Sequence, residues 1–313
     1  MTDPTTNVLS TLSNQMADAV ERAGVALVLV NGRQRYPASG IVYKPDLVVT
    51  ADHVLEREEE LSIETHDGRT LAAQFIGRDP TTDLALLRVN ELKLEPAHAA
   101  PSAARVGQFV LAVGRPTSSG PMASIGIVSA IGGPLRARRG ALLEQFIRAR
   151  RGALLEQFIR TDAVPYPGFS GGPLIDTQGN VLGVLTTGLW NAAALAIPTT
   201  IAWRIADTLA QHGQVKRGFL GISSQPVQLP EGQRAGQSQE QGLLIVQVHT
   251  GSSAAQGGLL VGDILVALDN QPVDDTDDLQ ALLTGDRVGK AVPVTIIRGG
   301  TLQTVSVTVG QRN

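Results

Sequence analysis

The chain has no cysteine, no surplus of either charge and no long apolar run. Without cysteine among its 313 residues it holds no disulfide framework and no thiolate metal site, a composition compatible with any compartment. A formal net charge of -3 gives no electrostatic footprint for nucleic acid. No stretch approaches the about 18 apolar residues of a membrane-crossing helix, so no membrane span is expected. The start, Met1-Thr2-Asp3-Pro4-Thr5-Thr6-Asn7, is not basic, and residues 1–30 hold no uninterrupted apolar core ending in a small-residue cleavage site. The chain as given therefore reads as cytoplasmic; an exported chain without its leader would read the same.

What is present is a long series of short apolar runs. Residues 8–23 carry Val8, Leu9, Leu12, Met16, Ala19, Val20 and Ala23 at helical spacing, with Gly24 as the stop. From Val25 the rhythm changes to runs at 25–30, 40–43, 47–50, 61–65, 71–76 and 84–89, separated by Gly, Pro, Asp and Asn, and a second set follows over 109–197. Regular short strands without intervening helices predict a mainly β barrel or sandwich.

Within the second set, Gly168-Phe169-Ser170-Gly171-Gly172 holds a serine between glycines, as a nucleophile needs where backbone N–H groups crowd a developing oxyanion. The pattern also fits the G-x-S-x-G elbow of an α/β-hydrolase, which requires a helix immediately after the serine. Here Pro173 leads instead into residues 174–184, two apolar runs around a turn cluster, which predict a hairpin. Of the five histidines, His66, His98, His212 and His249 lie in polar, turn-like or helix-end surroundings and read as surface residues. His53 follows the strand 47–51, where a general base is supported yet open to a cleft. Asp83 opens the apolar run 84–87, a position where an unpaired carboxylate is costly to bury. The chain order His53, Asp83, Ser170 is that of chymotrypsin-type proteases and the reverse of the hydrolase order.

Thr50-Ala51-Asp52-His53-Val54, Thr82-Asp83-Leu84-Ala85-Leu86-Leu87, Val113-Gly114-Arg115-Pro116, Gly126-Ile127-Val128-Ser129, Thr161-Asp162-Ala163, Gly168-Phe169-Ser170-Gly171-Gly172-Pro173-Leu174 and Ala196-Ile197-Pro198 together resemble the successive motifs of the HtrA (Deg-type) serine proteases. The resemblance runs from about residue 25 to the C-terminus. It implies a two-barrel chymotrypsin-like protease domain, followed by a PDZ domain, that degrades unfolded or damaged polypeptides as a homotrimer without metal or cofactor. It also implies roles: Ser170 attacks the scissile carbonyl, His53 carries the proton, Asp83 orients His53, and the N–H groups of Gly168 and Ser170 bind the oxyanion.

By the same resemblance Val164 lies at the base of the S1 pocket, Ala194 and Leu195 line its walls, and Thr186-Thr187-Gly188 pairs with the substrate backbone, with Thr186 also placed to donate to Asp83. A neutral Val164 implies small or medium apolar residues at P1. Two departures stand out. Phe169 occupies a position usually held by Asn or Asp in the family. Residues 136–147 also recur unchanged as 148–159; the second copy takes the place of the strand leading to Thr161, and the first reads as an insertion, forming a hairpin with its repeat or a helix. These departures leave an alternative, a catalytically weak protease-like scaffold that acts through peptide binding.

Beyond the barrels, Thr199 or Thr200 is placed to cap a helix carrying Ile201, Ile205 and Leu209 and closed by Gly213. Phe219-Leu220-Gly221-Ile222 resembles the carboxylate loop of a PDZ domain, which receives peptide C-termini, and residues 251–259 and 261–270 match its next landmarks. A helix over 276–283 and strands over 292–297 and 304–309 complete it, with 229–241 as a loop. The expected organisation is a helical segment at 1–24, a protease domain at 25–212 and a PDZ domain at 213–313.

Overall fold

The computed structural model describes residues 8–132, 157–189, 194–215, 218–236, 238–283 and 287–311. The chain forms two compact units that divide between Val215 and Lys216. The first opens with α1 (Val8–Gly24) and continues with β1 (Leu27–Asn31), β2 (Ala38–Lys44), β3 (Leu47–Ala51), β4 (Leu61–Glu64), β5 (Thr70–Asp79) and β6 (Leu84–Arg88). These strands close into an antiparallel barrel in the order β1-β2-β3-β6-β5-β4. A second barrel, β10-β11-β12-β9-β8-β7, is built from β7 (Phe109–Thr117), β8 (Gly120–Gly132), β9 (Phe158–Thr161), β10 (Pro173–Ile175), β11 (Val181–Thr186) and β12 (Ala194–Pro198). The hairpin expected after Ser170 is the β10–β11 pair.

Several strands are buried on both faces, which explains runs such as Leu84-Ala85-Leu86-Leu87. Val48, Ala85 and Leu87 fill the first barrel, while their neighbours Leu47, Val49, Leu84 and Leu86 enter a separate cluster shared with the second barrel and with both helices. Side chains alternate across a strand, so a strand sandwiched between two cores loses the polar half of the alternation.

Ala19 and Ala23 of α1 join that shared cluster, so the helical segment is part of the barrel unit. α2 (Thr199–His212) packs Ile201, Ile205 and Leu209 into it as well and stops at Gly213, at φ 70°. The expected threonine cap is not used: the N-cap is Pro198, without a side-chain hydrogen bond, and Thr199 is already helical. Proline holds the β/PPII geometry that ends β12 at the helix entrance. Phe158 and Ile159, the end of the second repeat copy, begin β9. The first copy, and the hairpin or helix expected of the pair, lie outside the described residues.

The second unit comprises β13 (Gly218–Phe219), β14 (Ile222–Gln228), β15 (Gln241–Val248), α3 (Ser253–Gln256), β16 (Ile264–Leu268), β17 (Gln271–Pro272), α4 (Thr276–Leu282), β18 (Ala291–Arg298), β19 (Thr301–Thr308) and β20 (Gly310–Gln311). The main sheet runs β14-β15-β16-β18-β19, with β17 on β16 and β13 paired to β20. It has its own core, including Leu220, Leu243, Ile245, Leu265 and Val294. The loop expected over 229–241 contains a 3-10 turn, Glu231–Gln233.

Candidate active site

His53 sits one residue into a 3-10 turn, Asp52–Val54, that follows β3. The turn is tied to the start of β6 by Asp52 N–H donating to the Asp83 carbonyl at 3.0 Å. Asp83 takes φ 55°, a conformation uncommon outside glycine that costs free energy and clusters at functional sites. The twist aims its buried carboxylate at His53. Oδ2 lies 2.6 Å from His53 Nδ1 and Oδ1 accepts the His53 backbone N–H at 2.9 Å. The Thr186 hydroxyl also donates to Oδ2, and Gly188 N–H donates to Thr186 Oγ1 at 3.0 Å. Three donors thus satisfy a carboxylate that would otherwise be costly to bury. A Cβ on Gly188 would lie 2.5 Å from His53 Nδ1 and 2.7 Å from Asp83 Oδ2, so only glycine lets this backbone pass over the pair.

Ser170 lies in the loop between β9 and β10, where most backbone groups of residues 168–172 are tied down. Phe169, Gly171 and Gly172 N–H groups donate to the carbonyls of Tyr166, Leu185 and Phe169 at 3.0, 2.8 and 2.9 Å. The carbonyls of Gly168 and Ser170 accept from Ser39 Oγ at 2.7 Å and Ser39 N–H at 3.1 Å. Among the described residues no acceptor is found for the N–H groups of Gly168 and Ser170. The Phe169–Ser170 peptide is trans, so the N–H of Ser170 points opposite to the engaged Phe169 carbonyl. Gly168 takes φ +91°, and a Cβ there would approach Pro116 Cβ to 2.5 Å. Ser170 as a whole is only 6% exposed; its Oγ lies 3.1 Å from Thr187 Oγ1, and no hydrogen bond joins it to His53 among the described residues.

Phe169, at 0% exposure, points into the second barrel's core beside Val110, Leu174 and Leu185, with its ring edge-on to Tyr166 at 5.4 Å. Gly114 makes the room: a Cβ there would lie 2.5 Å from the Phe169 ring. The departure at this position is therefore an apolar anchor beneath the loop.

The residues expected to shape specificity divide. Thr186, Thr187 and Gly188 flank the His53–Asp83 pair and Ser170, as described. Val164 is 52% exposed, and its carbonyl accepts from Ser124 Oγ at 2.7 Å. Ala194 and Leu195 are enclosed on β12, and Leu195 belongs to the shared core.

Two groups were missed from sequence. Ser39, fully buried on β2, reaches the loop through both N–H and Oγ. Its Oγ also accepts from Arg115 N–H at 2.8 Å, and its carbonyl accepts from Thr50 Oγ1 at 2.7 Å. Its signal was a small polar residue beside an apolar run, hidden within a Pro-Ala-Ser-Gly stretch that reads as a turn. The second is Asp52, 3.0 Å from Arg78 Nη1. Burial raises its carboxyl above the usual range; Arg78 opposes this, and Asp83 and Asp79 add to it. Among the described residues no cluster of three or more metal-ligating side chains occurs.

In the second unit the Leu220 and Gly221 carbonyls are engaged by Ala254 and His249 N–H groups at 2.8 and 2.9 Å. Their own N–H groups have no acceptor among the described residues. Gly221 is at φ +81° against Ser252, and Phe219 stacks obliquely near His249 at 6.4 Å. The result is a small nest of N–H groups beside the start of β14, suited to an anion.

A double six-stranded barrel with a His–Asp pair and a glycine-bounded serine, followed by a second β unit, defines a trypsin-like serine protease fold joined to a PDZ domain. A trypsin-like peptidase domain family matches residues 38–184 and a PDZ domain family matches residues 218–309. The serine endoprotease of Yersinia pestis is similar in structure over 96% of this chain and 98% of its own, at TM-score 0.76 and 28% identity. The HtrA-type protease AlgW with tripeptide matches over 95% of this chain and 97% of its own, at TM-score 0.74 and 30% identity. The chain belongs to the HtrA-type serine proteases.

Several relatives carry the name "Probable periplasmic serine endoprotease DegP-like". That of Halomonas elongata is 32% identical over 93% of this chain, and that of Pseudomonas fulva 34% over 89%. The chain spans 61% and 57% of their lengths. These names correct the cytoplasmic expectation, which rested on a start without a leader pattern and on the lack of a membrane-spanning run; neither feature distinguishes a cytoplasmic from an exported chain. Among the described residues no helix is long and apolar enough to cross a membrane.

Proposed function

We propose that the chain is a periplasmic serine endopeptidase that cuts unfolded or damaged polypeptides through an acyl-enzyme, with apolar residues preferred at P1. The observation that carries this reading is the Ser170 loop, in which the two N–H groups left without acceptors are those that an oxyanion between Gly168 and Ser170 requires. Rotation about Ser170 χ1 takes Oγ from Thr187 towards His53, a side-chain motion with a low barrier. As Oγ attacks the carbonyl carbon, His53 Nε2 accepts its proton, and Asp83, held by Thr186, stabilises the imidazolium. The carbonyl oxygen becomes an oxyanion facing the two N–H groups, each worth about 3 kcal/mol in the transition state. His53 then protonates the leaving amine, and water repeats the sequence to release the acyl group. Phe169 supports competence, since it braces the loop without engaging either N–H group.

The PDZ domain binds peptide C-termini, the carboxylate resting on the nest of N–H groups and the peptide adding to the edge of β14. Assembly as a homotrimer is supported by the family resemblance; light scattering of the purified protein tests it. A fluorophosphonate probe tests the nucleophile: labelling of the native chain at Ser170, with strong loss in His53→Ala, is expected, and labelling elsewhere or equal labelling of both would overturn the assignment.

A further inference from the structure

The edge of β14 limits how much of a peptide the PDZ domain pairs with. The direction of its backbone groups follows from two hydrogen bonds that bracket it. Gly221 offers its carbonyl to His249 and Leu229 its N–H to Glu240, at 2.9 and 2.8 Å, both towards β15. Backbone groups alternate sides along a strand, so Ser223, Gln225 and Val227 face β15, while Ile222, Ser224, Pro226 and Gln228 face the open edge. β14 pairs with no strand other than β15 among the described residues. The open edge therefore offers N–H groups at Ile222 and Ser224 and, two residues further on, an exposed proline with none.

Resting on the reading that this groove takes peptide C-termini, we infer that it pairs with the last four residues of its ligand and no more, because Pro226 ends the ladder. An antiparallel peptide places every second residue opposite every second residue of β14. With its terminal carboxylate on the loop and its last residue opposite Ile222, its third residue from the end exchanges both hydrogen bonds with Ser224. A fourth residue completes this pair, because it makes the nitrogen of the third an amide. The fifth would face Pro226, where the donor for its carbonyl is missing and the pyrrolidine ring occupies the space. Proline on a sheet edge is a known way of stopping strand addition. The partner class is thus a short exposed C-terminus, and sequence upstream of the last four residues goes unread by the backbone.

The test uses the full chain carrying Ser170→Ala, so that ligands are not cut. Peptides of three to eight residues with free amino termini share one apolar C-terminus. Isothermal calorimetry is expected to show tightening from three to four residues and then a Kd constant within about twofold. In Pro226→Ala the six- and eight-residue peptides are expected to bind about 3- to 10-fold tighter, the worth of one restored net hydrogen bond, with no change for four residues. Affinity in the proline-containing chain that keeps rising through the fifth and sixth residues would overturn the inference. Absence of binding at every length, or equal binding of C-terminally amidated peptides, would instead sink the underlying carboxylate reading, and this inference with it.

Discussion

Ser39 concentrates more of the site's geometry than any residue outside the proposed triad. Its Oγ and N–H hold the carbonyls of Gly168 and Ser170, fixing the peptide planes on either side of the proposed oxyanion donors. Ser39→Ala is expected to lower kcat about 100-fold, as for a misaimed donor, with KM little changed. Thr50→Val removes a buried hydrogen bond to the same residue without removing any hydrogen bond to the loop. It is expected to cost comparable stability, about 1 to 3 kcal/mol, while kcat stays within about threefold. Equal kcat losses in the two variants would reduce Ser39 to a structural role. Asp52 carries a pH signature. Its folded pKa is raised, chiefly by burial, so its charged form is disfavoured in the fold. That penalty is present above the folded pKa and vanishes as pH falls below the unfolded value near 3.9. Asp52→Asn is therefore expected to melt higher than the native chain at pH 7, with the gap closing by about pH 3. A gap independent of pH would contradict this.

At the level of elements, the second barrel and the nucleophile loop are matched through Phe169 and Gly114. Phe169→Asn, which restores the residue more usual in the family, places an amide in an apolar cluster. It is expected to lose about 3 kcal/mol of stability in chemical denaturation and to gain no activity; a more active and equally stable variant would show that the anchor is not needed. Most strands, both long helices and the hairpin after Ser170 were legible because apolar runs and turn residues set local structure. The pairing of His53 with Asp83 was legible through order, and the glycine-bounded Ser170 loop through motif. What was not legible depended on contacts distant in sequence. Ser39 acquires its meaning only when β2 of one barrel meets a loop of the other, and Pro198 displaces threonine as a cap because β12 runs directly into α2. The half-exposed Val164 and the enclosed Leu195 likewise follow from barrel closure, which no local pattern reports.

For the whole molecule, the two units have separate hydrophobic cores, so residues 213–313 are expected to fold alone in a single cooperative thermal transition. Failure to fold would mean that the second unit needs the barrels for stability. The barrel unit of the full chain is proposed to be a working protease built on Ser170. Its most direct test is degradation of casein by the purified protein, set against Ser170→Ala, with cut sites read by mass spectrometry. Cleavage after Val, Ile, Leu or Ala that vanishes in the variant, while its circular dichroism stays native, is the predicted result. Cleavage that persists in Ser170→Ala, or none by the native chain even on warming with an apolar C-terminal peptide, would contradict it.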